Sequence, residues 1–142
     1  MTVEQRRTLK AATERLIPST ANSGGAAEAR VMSFVDWAIE QELFEQHFLR
    51  VGEALSLLDD LATSRYGSAF ADCNETEQDS IMKGLHAFPH VIPRLRFESL
   101  LYITLAGFLC HPRYGGNRDL VGWSQIGFEP IPAPQMERLT DD

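Results

Sequence analysis

The histidines are the first residues to test for chemistry, because an imidazole ring serves both as a metal ligand and as a general base. His86 and His90 have the i, i+4 spacing that lets two rings chelate a metal from one face of a helix. Pro89 lies between them and disfavours helical geometry at Phe88. We therefore expect that the two rings do not share a helical face, and we predict no metal site.

The other candidates for catalysis are equally poorly arranged. Cys110 and His111 are adjacent, and neighbours in sequence rarely face each other as a nucleophile and its base must. Asp59 and Asp60 point in different directions from a helix, so they should not share a proton. The pair Gly115–Gly116 lacks the third glycine that a dinucleotide loop places at the head of a helix. We expect no catalytic and no cofactor-binding residue on this chain.

Hydrophobic periodicity predicts helices and no strands, since no long run alternates with period two. Four of the five predicted helices run from a Thr2 cap to Pro18, over 27–41, over 45–66, and from an Asn74 or Thr76 cap to Pro89. The fifth has Pro93 in its first turn and runs to about Leu109. The fifth is apolar nearly all round after Ser99, so it should be central. We predict an all-α fold, a compact bundle of about five helices, with one domain over 1–128 and an extended Pro-rich tail over 129–142.

Charge and hydropathy limit the partners. The net charge of −7 argues against nucleic-acid binding. Residues 80–119 nevertheless carry five basic and two acidic side chains, which could form either a partner face or an ordinary solvated surface. The most apolar run, 100–110, is too short to span a bilayer. No apolar stretch of a signal peptide follows Arg6–Arg7, so we expect a cytoplasmic protein, or a periplasmic one if a leader has been removed.

The two cysteines, Cys73 and Cys110, do not make a disulfide framework. Reduced and buried thiols are the default for such a pair. A single bridge between them stays open, because it depends on the distance between their Cα atoms.

The segment from His111 to Phe128 is the most informative part of the chain. Two adjacent glycines permit positive φ at Gly115 and Gly116, and Asn117 can fix the turn with side-chain hydrogen bonds to the backbone. Trp123 and Phe128 should anchor the segment by burial. A long segment of this kind either forms an interface or packs on its own helices, and composition alone does not decide between the two.

The same segment resembles the closing signature of a known family. The run 108–119, PheLeuCysHisProArgTyrGlyGlyAsnArgAsp, followed by GlyTrpSerGlnIleGlyPhe over 122–128, is similar to the gluconate 2-dehydrogenase subunit 3 family. The LeuIlePro end of the first helix, the small-residue loop after it and ValMetSerPheValAsp over 31–36 agree in order. The resemblance covers about residues 4–130.

The resemblance implies a function that composition does not show. It implies a small, non-catalytic, chaperone-like subunit that binds and stabilises a large glucose-methanol-choline-type flavoprotein in a heterodimer. The partner would hold the FAD and oxidise sugars or glycosides, and a cytochrome c subunit is an optional further component. The motif positions that the resemblance offers as partner contacts are Tyr114, Gly115, Gly116, Asn117, Gly122, Trp123 and Phe128, with Arg113 and Arg118 added because Arg is a common interface anchor.

Two other functions compete with this one. A free-standing helical interaction or regulatory domain is the main alternative, and a different kind of protein encoded next to this chain would favour it. A stand-alone enzyme using Cys110, His111 or the carboxylates is the second, and activity of the purified chain without a partner would support it.

Overall fold

A computed structural model describes residues 1–130, and all the regular structure within that range is helical. The helices are α1 (Val3–Leu16), α2 (Val31–Glu40), α3 (Glu45–Tyr66), α4 (Glu75–His86), α5 (Val91–Leu109) and α6 (Val121–Ile126). Three single 3₁₀ turns lie at Phe70–Asp72, Pro112–Tyr114 and Arg118–Leu120. The all-α prediction is confirmed. The predicted Pro-rich tail lies outside the described residues, apart from Glu129 and Pro130.

Local sequence signals set several helix ends as predicted. Thr2 and Gln5 form a capping box at α1, where each side chain binds the other residue's backbone N–H. Asn74 and Glu77 form the same reciprocal cap at α4. Gly67 ends α3 with a φ of 70°, which is the left-handed conformation that a glycine adopts at little cost.

One helix start differs from the prediction. We expected the second helix from residue 27, but α2 begins at Val31 because Arg30 has a left-handed φ of 53° that interrupts it. Helix α5 begins at Val91, with His90 as its N-cap, so Pro93 lies in the first turn as predicted. His86 ends α4 and His90 precedes α5, so the two histidines do not share a helical face, as expected.

Helix α5 is the centre of the fold and packs against α1, α2, α3 and α4. The main core is formed by apolar side chains from these helices and the 3₁₀ turn Phe70–Asp72. Its largest fully buried side chains include Leu9, Leu55, Leu58, Phe70, Ile81, Leu85, Leu100 and Ile103. None of the helices within residues 1–130 combines the length and the hydropathy that a membrane span requires.

Asp59 has a structural role that explains why it does not pair with Asp60. Its carboxylate accepts a 2.9 Å hydrogen bond from the backbone N–H of Phe70 and another from the Thr8 hydroxyl. Gln78 donates to the Phe70 carbonyl at 2.9 Å. The turn that carries the buried Phe70 ring is therefore held by polar side chains on two helices.

An ion pair between α1 and α4 generates a prediction about stability. Arg15 donates twice to Asp79, at 2.8 and 3.0 Å, and lies 3.1 Å from Glu75. This hydrogen-bonded guanidinium lowers the pKa of Asp79. Because the folded-state pKa is the lower one, the pair stabilises the fold at neutral pH, and this contribution is lost as the pH falls through the lowered pKa.

We therefore expect Arg15→Met to destabilise the chain by about 0.5–1 kcal/mol at neutral pH. Urea unfolding followed by circular dichroism should show the difference from wild type shrinking in acid. The matched control is Arg7→Met, which removes a more exposed pair with Asp72 and should cost less. A penalty for Arg15→Met that stays constant down to low pH would contradict the assignment to Asp79.

Candidate partner interface

The candidate interface is built on the C-terminal end of α5. The last carbonyls of a helix have no partner within the helix and need donors from elsewhere. Here the donors come from the chain that follows. The backbone N–H of Asn117 donates to the Gly107 carbonyl at 3.0 Å, and the indole N–H of Trp123 donates to the Leu109 carbonyl at 2.8 Å. We call residues 111–128 the clasp.

Asn117 is the hub of the clasp and is fully buried. Its amide nitrogen donates to the Cys110 carbonyl at 2.9 Å, and its amide oxygen accepts from the backbone N–H groups of Gly122 and Trp123 at 2.8 and 3.4 Å. One side chain thus caps the C-terminus of α5 and the N-terminus of α6. Its φ of 47° is left-handed, and Asn tolerates this conformation better than most residues do.

Two glycines let the clasp approach the α5 backbone closely. A Cβ atom at Gly116 would lie 2.1 Å from the Gly107 carbonyl oxygen, and one at Gly122 would lie 1.9 Å from the Phe108 carbonyl oxygen. No side chain fits at these distances. Gly115 has a φ of 94°, as predicted, but Gly116 does not have positive φ: it is required for the close approach instead.

The clasp also ties the end of the chain to the loop after α1. The backbone N–H of Arg118 donates to the Ala29 carbonyl at 3.0 Å, and the Gln125 side chain donates to the Gly24 carbonyl. A second small core joins the two regions, formed by Ala26, Ala29, Val31 and Phe108 with Ile17, Leu109 and Val121 packed against it. The small-residue loop after α1 and the Gly/aromatic segment are thus one structural unit.

Aromatic rings form the outer layer of the clasp. The Tyr114 ring lies 4.6 Å from the Trp37 ring, and the Arg113 guanidinium sits 4.7 Å above Tyr114. Trp123 meets His111 at 5.7 Å and Phe128 at 4.9 Å, both edge to face. These groups are amphipathic, and rings and Arg of this kind commonly anchor protein interfaces.

The nine predicted contact residues fall into three sets. Arg113, Arg118 and Phe128 are exposed, Tyr114, Gly115 and Trp123 are half-buried, and Gly116, Asn117 and Gly122 are buried. The buried set can act on a partner only by holding the others in place. The expected burial of Phe128 is wrong, since the residue is 50% exposed; its ring meets the Trp123 ring edge to face.

Two features of the clasp were missed from the sequence. Helix α6 occupies Val121–Ile126, where we expected irregular chain; its N-terminus depends on the remote amide of Asn117. Trp37 supports Tyr114 from α2, and nothing in the local sequence of α2 indicates that contact.

The groups with potential for chemistry are used structurally within residues 1–130. The Cys110 thiol contacts the Gly107 carbonyl at 3.5 Å, and burial raises its pKa. His111 uses Nδ1 to accept from the backbone N–H of Arg113 at 3.2 Å. Each of the two groups thus has a contact of its own with the backbone. Cys73 and Cys110 are both free thiols, and no three His, Cys, Asp or Glu side chains within this range are grouped as metal ligands.

The fold and the clasp define a small all-α protein whose central helix is closed by a glycine and aromatic segment. A family model described as gluconate 2-dehydrogenase subunit 3 matches residues 3–130, and the chain belongs to that family. Membership indicates an accessory subunit of a dehydrogenase complex. No curated protein and no solved structure shows significant similarity to the chain.

The hub generates a prediction about folding. Asn117→Ala removes the three hydrogen bonds of a buried side chain and forces a left-handed alanine, so we expect a loss of about 2–4 kcal/mol of unfolding free energy. Asn117→Gly keeps the backbone conformation and should recover about 1 kcal/mol of that loss. Thermal and urea unfolding measure the stability of both variants. Asn22→Ala, in the exposed loop after α1, is the control. Wild-type stability in Asn117→Ala would show that the clasp does not depend on this amide.

Proposed function

We propose that this chain is a non-catalytic small subunit that binds and stabilises a large FAD-dependent dehydrogenase of the glucose-methanol-choline type. The substrate of the complex would be a sugar or a glycoside. The observation that carries the proposal is the family match over residues 3–130. The match supports the role of a subunit of a dehydrogenase. The type of flavoprotein and its substrate are our proposal.

The geometry of the clasp supports a binding role. A buried hub and two close-packed glycines hold Arg113, Tyr114, Trp123 and Phe128 on a rigid base. Side chains that are already ordered lose less conformational entropy when a partner covers them. The clasp therefore offers a preformed aromatic and basic surface, and we propose that the partner binds there.

Co-purification tests the proposal directly. An affinity-tagged chain expressed in the cells that encode it should bring down a yellow, FAD-containing protein of several hundred residues at a fixed ratio. The complex should oxidise sugars or glycosides, while the separated small chain should not. A chain that purifies alone as a stable monomer would sink the proposal and favour the free-standing interaction domain.

Phe128 provides a sharper test of the proposed contact surface. Phe128→Ala removes a ring that is half exposed, so the free chain should keep its stability. If a partner covers the ring, the complex should lose on the order of tenfold in affinity, the value of an interface residue worth about 1.4 kcal/mol. The readout is the flavin retained per tagged chain during washing. Leu49→Ala, which removes an apolar side chain of α3 that is 64% exposed, is the matched control. Equal retention in the two variants would remove Phe128 from the contact surface.

Localisation is a further part of the proposal. Both thiols are free in the structure, which is usual in a reducing compartment. We propose that the complex works in the cytoplasm. Cell fractionation followed by detection of the tagged chain tests this, and recovery in the periplasmic fraction would contradict it.

A further inference from the structure

Helix α5 leaves an apolar face in solvent. Its inner face is buried in the core, but Val91, Leu95, Tyr102 and Leu105 are 59, 38, 46 and 40% exposed. A helix that is apolar all round is normally covered on all sides. Contiguous exposed apolar surface of this kind typically marks an interaction site.

The exposed side chains follow the spacing of a helix–helix seam. Residues 91, 95, 98, 102 and 105 are separated by four, three, four and three positions. This is the alternation that lets one helix lie along another with a continuous line of contacts. We call this line of five residues the α5 seam. The expected occupant is therefore a helix, bound as an apolar ridge along a partner.

The charge in the middle of the α5 seam argues against a second copy of this chain. Glu98 is flanked by the apolar pair Val91 and Leu95 on one side and by Tyr102 and Leu105 on the other. Suppose that two copies paired along this line, parallel or antiparallel, with apolar residues facing apolar residues. Glu98 of one copy would then lie opposite Glu98 of the other. Like charges at one contact are unfavourable, and such a contact is a common device against a wrong partner.

Glu98 is available to a cation on another protein. Its contact within the chain is with Arg94, at 3.6 Å, and both side chains are 56% exposed. An exposed pair of this kind contributes little to stability, because water screens it. A Lys or Arg placed opposite Glu98 in a dry contact would form a stronger pair, because water no longer screens it.

A row of packed rings connects the α5 seam to the clasp beneath the surface, since Phe34 in the middle of the row is only 3% exposed. Tyr102 meets Phe44 at 6.0 Å, Phe44 meets Phe34 at 6.2 Å, and Phe34 meets Trp37 at 6.0 Å. Trp37 in turn meets Tyr114 of the clasp. The α5 seam and the clasp therefore rest on one packed aromatic cluster.

We propose that the α5 seam is the docking site for a helix of the large dehydrogenase subunit, one with an apolar face and a Lys or Arg opposite Glu98. This inference rests on the proposed function. It names the surface and the chemistry of the partner element, which the family match does not give.

The test uses the tagged chain and the flavoprotein that co-purifies with it. Leu105→Lys and Glu98→Lys should each reduce the flavin retained per tagged chain at least tenfold, with unchanged helicity and melting of the free chain. Val91→Lys should act in the same direction. Its matched control is Val3→Lys, because Val3 and Val91 are both exposed and each is the first residue of its helix. The control should retain flavin within about twofold of wild type.

The free chain supplies the second readout. Glu98→Leu completes the apolar line, so it should move the free chain from monomer to dimer in analytical ultracentrifugation. A wild-type dimer that Leu105→Lys disrupts would assign the α5 seam to a second copy and overturn the inference. Sedimentation of the wild-type chain with phosphatidylglycerol vesicles, lost in Leu105→Lys, would assign it to lipid and also overturn it.

The two proposals fail in different ways. If wild type retains the flavoprotein and the three α5 variants retain it equally well, the docking site is wrong and the subunit function stands. If wild type retains no flavoprotein, both are wrong.

Discussion

The C-terminal end of α5 is the constraint on which the rest of the structure depends. The helix is apolar, central and ends against the core, so its last carbonyls need protein donors rather than water. Asn117 and Trp123 supply those donors, and Asn117 can do so only because Gly116 and Gly122 bring the clasp against the helix backbone. The same amide starts α6, which in turn packs Val121 beside the loop after α1. Helix termination, loop closure and the position of the surface rings follow from one buried side chain.

This arrangement divides the family motif into two kinds of residue. Gly116, Asn117 and Gly122 are buried and serve the fold, whereas Phe128 is exposed. Arg113 and Arg118, the two candidates added to the motif positions, are exposed as well. Tyr114 and Trp123 belong to both kinds, since each is packed on one side and open on the other. Motif membership alone therefore does not identify contact residues, because the buried positions cannot touch a partner directly.

The sequence predicts the parts of the fold that depend on neighbouring residues. The caps at Thr2 and Asn74, the terminating Gly67 and the amphipathic stripes are local signals, and the structure follows them. The parts that were missed depend on contacts between distant segments. Arg30, Phe44 and Leu120 take left-handed conformations that their types do not favour, because tertiary contacts fix the turns in which they lie. Helix α6 was missed for the same reason. Its N-terminus is capped by Asn117, which lies outside the helix and also caps the C-terminus of α5. The exposure of Phe128 could not be read from its type, since a large ring is usually buried.

The exposure of one face of α5 also depends on contacts between distant segments. A sequence that is apolar on every side of a helix predicts a buried helix, and in the bundle only the inner half is buried. Another long helix packed on α5 would cover this outer half. Within residues 1–130, the remaining helix is the short α6, which packs at the end of α5. The single charge left in the middle of the outer line is compatible with monomeric folding and opposes self-pairing. An outer face of this composition is accounted for if a second protein completes the bundle, so that the core of the small subunit continues into its partner.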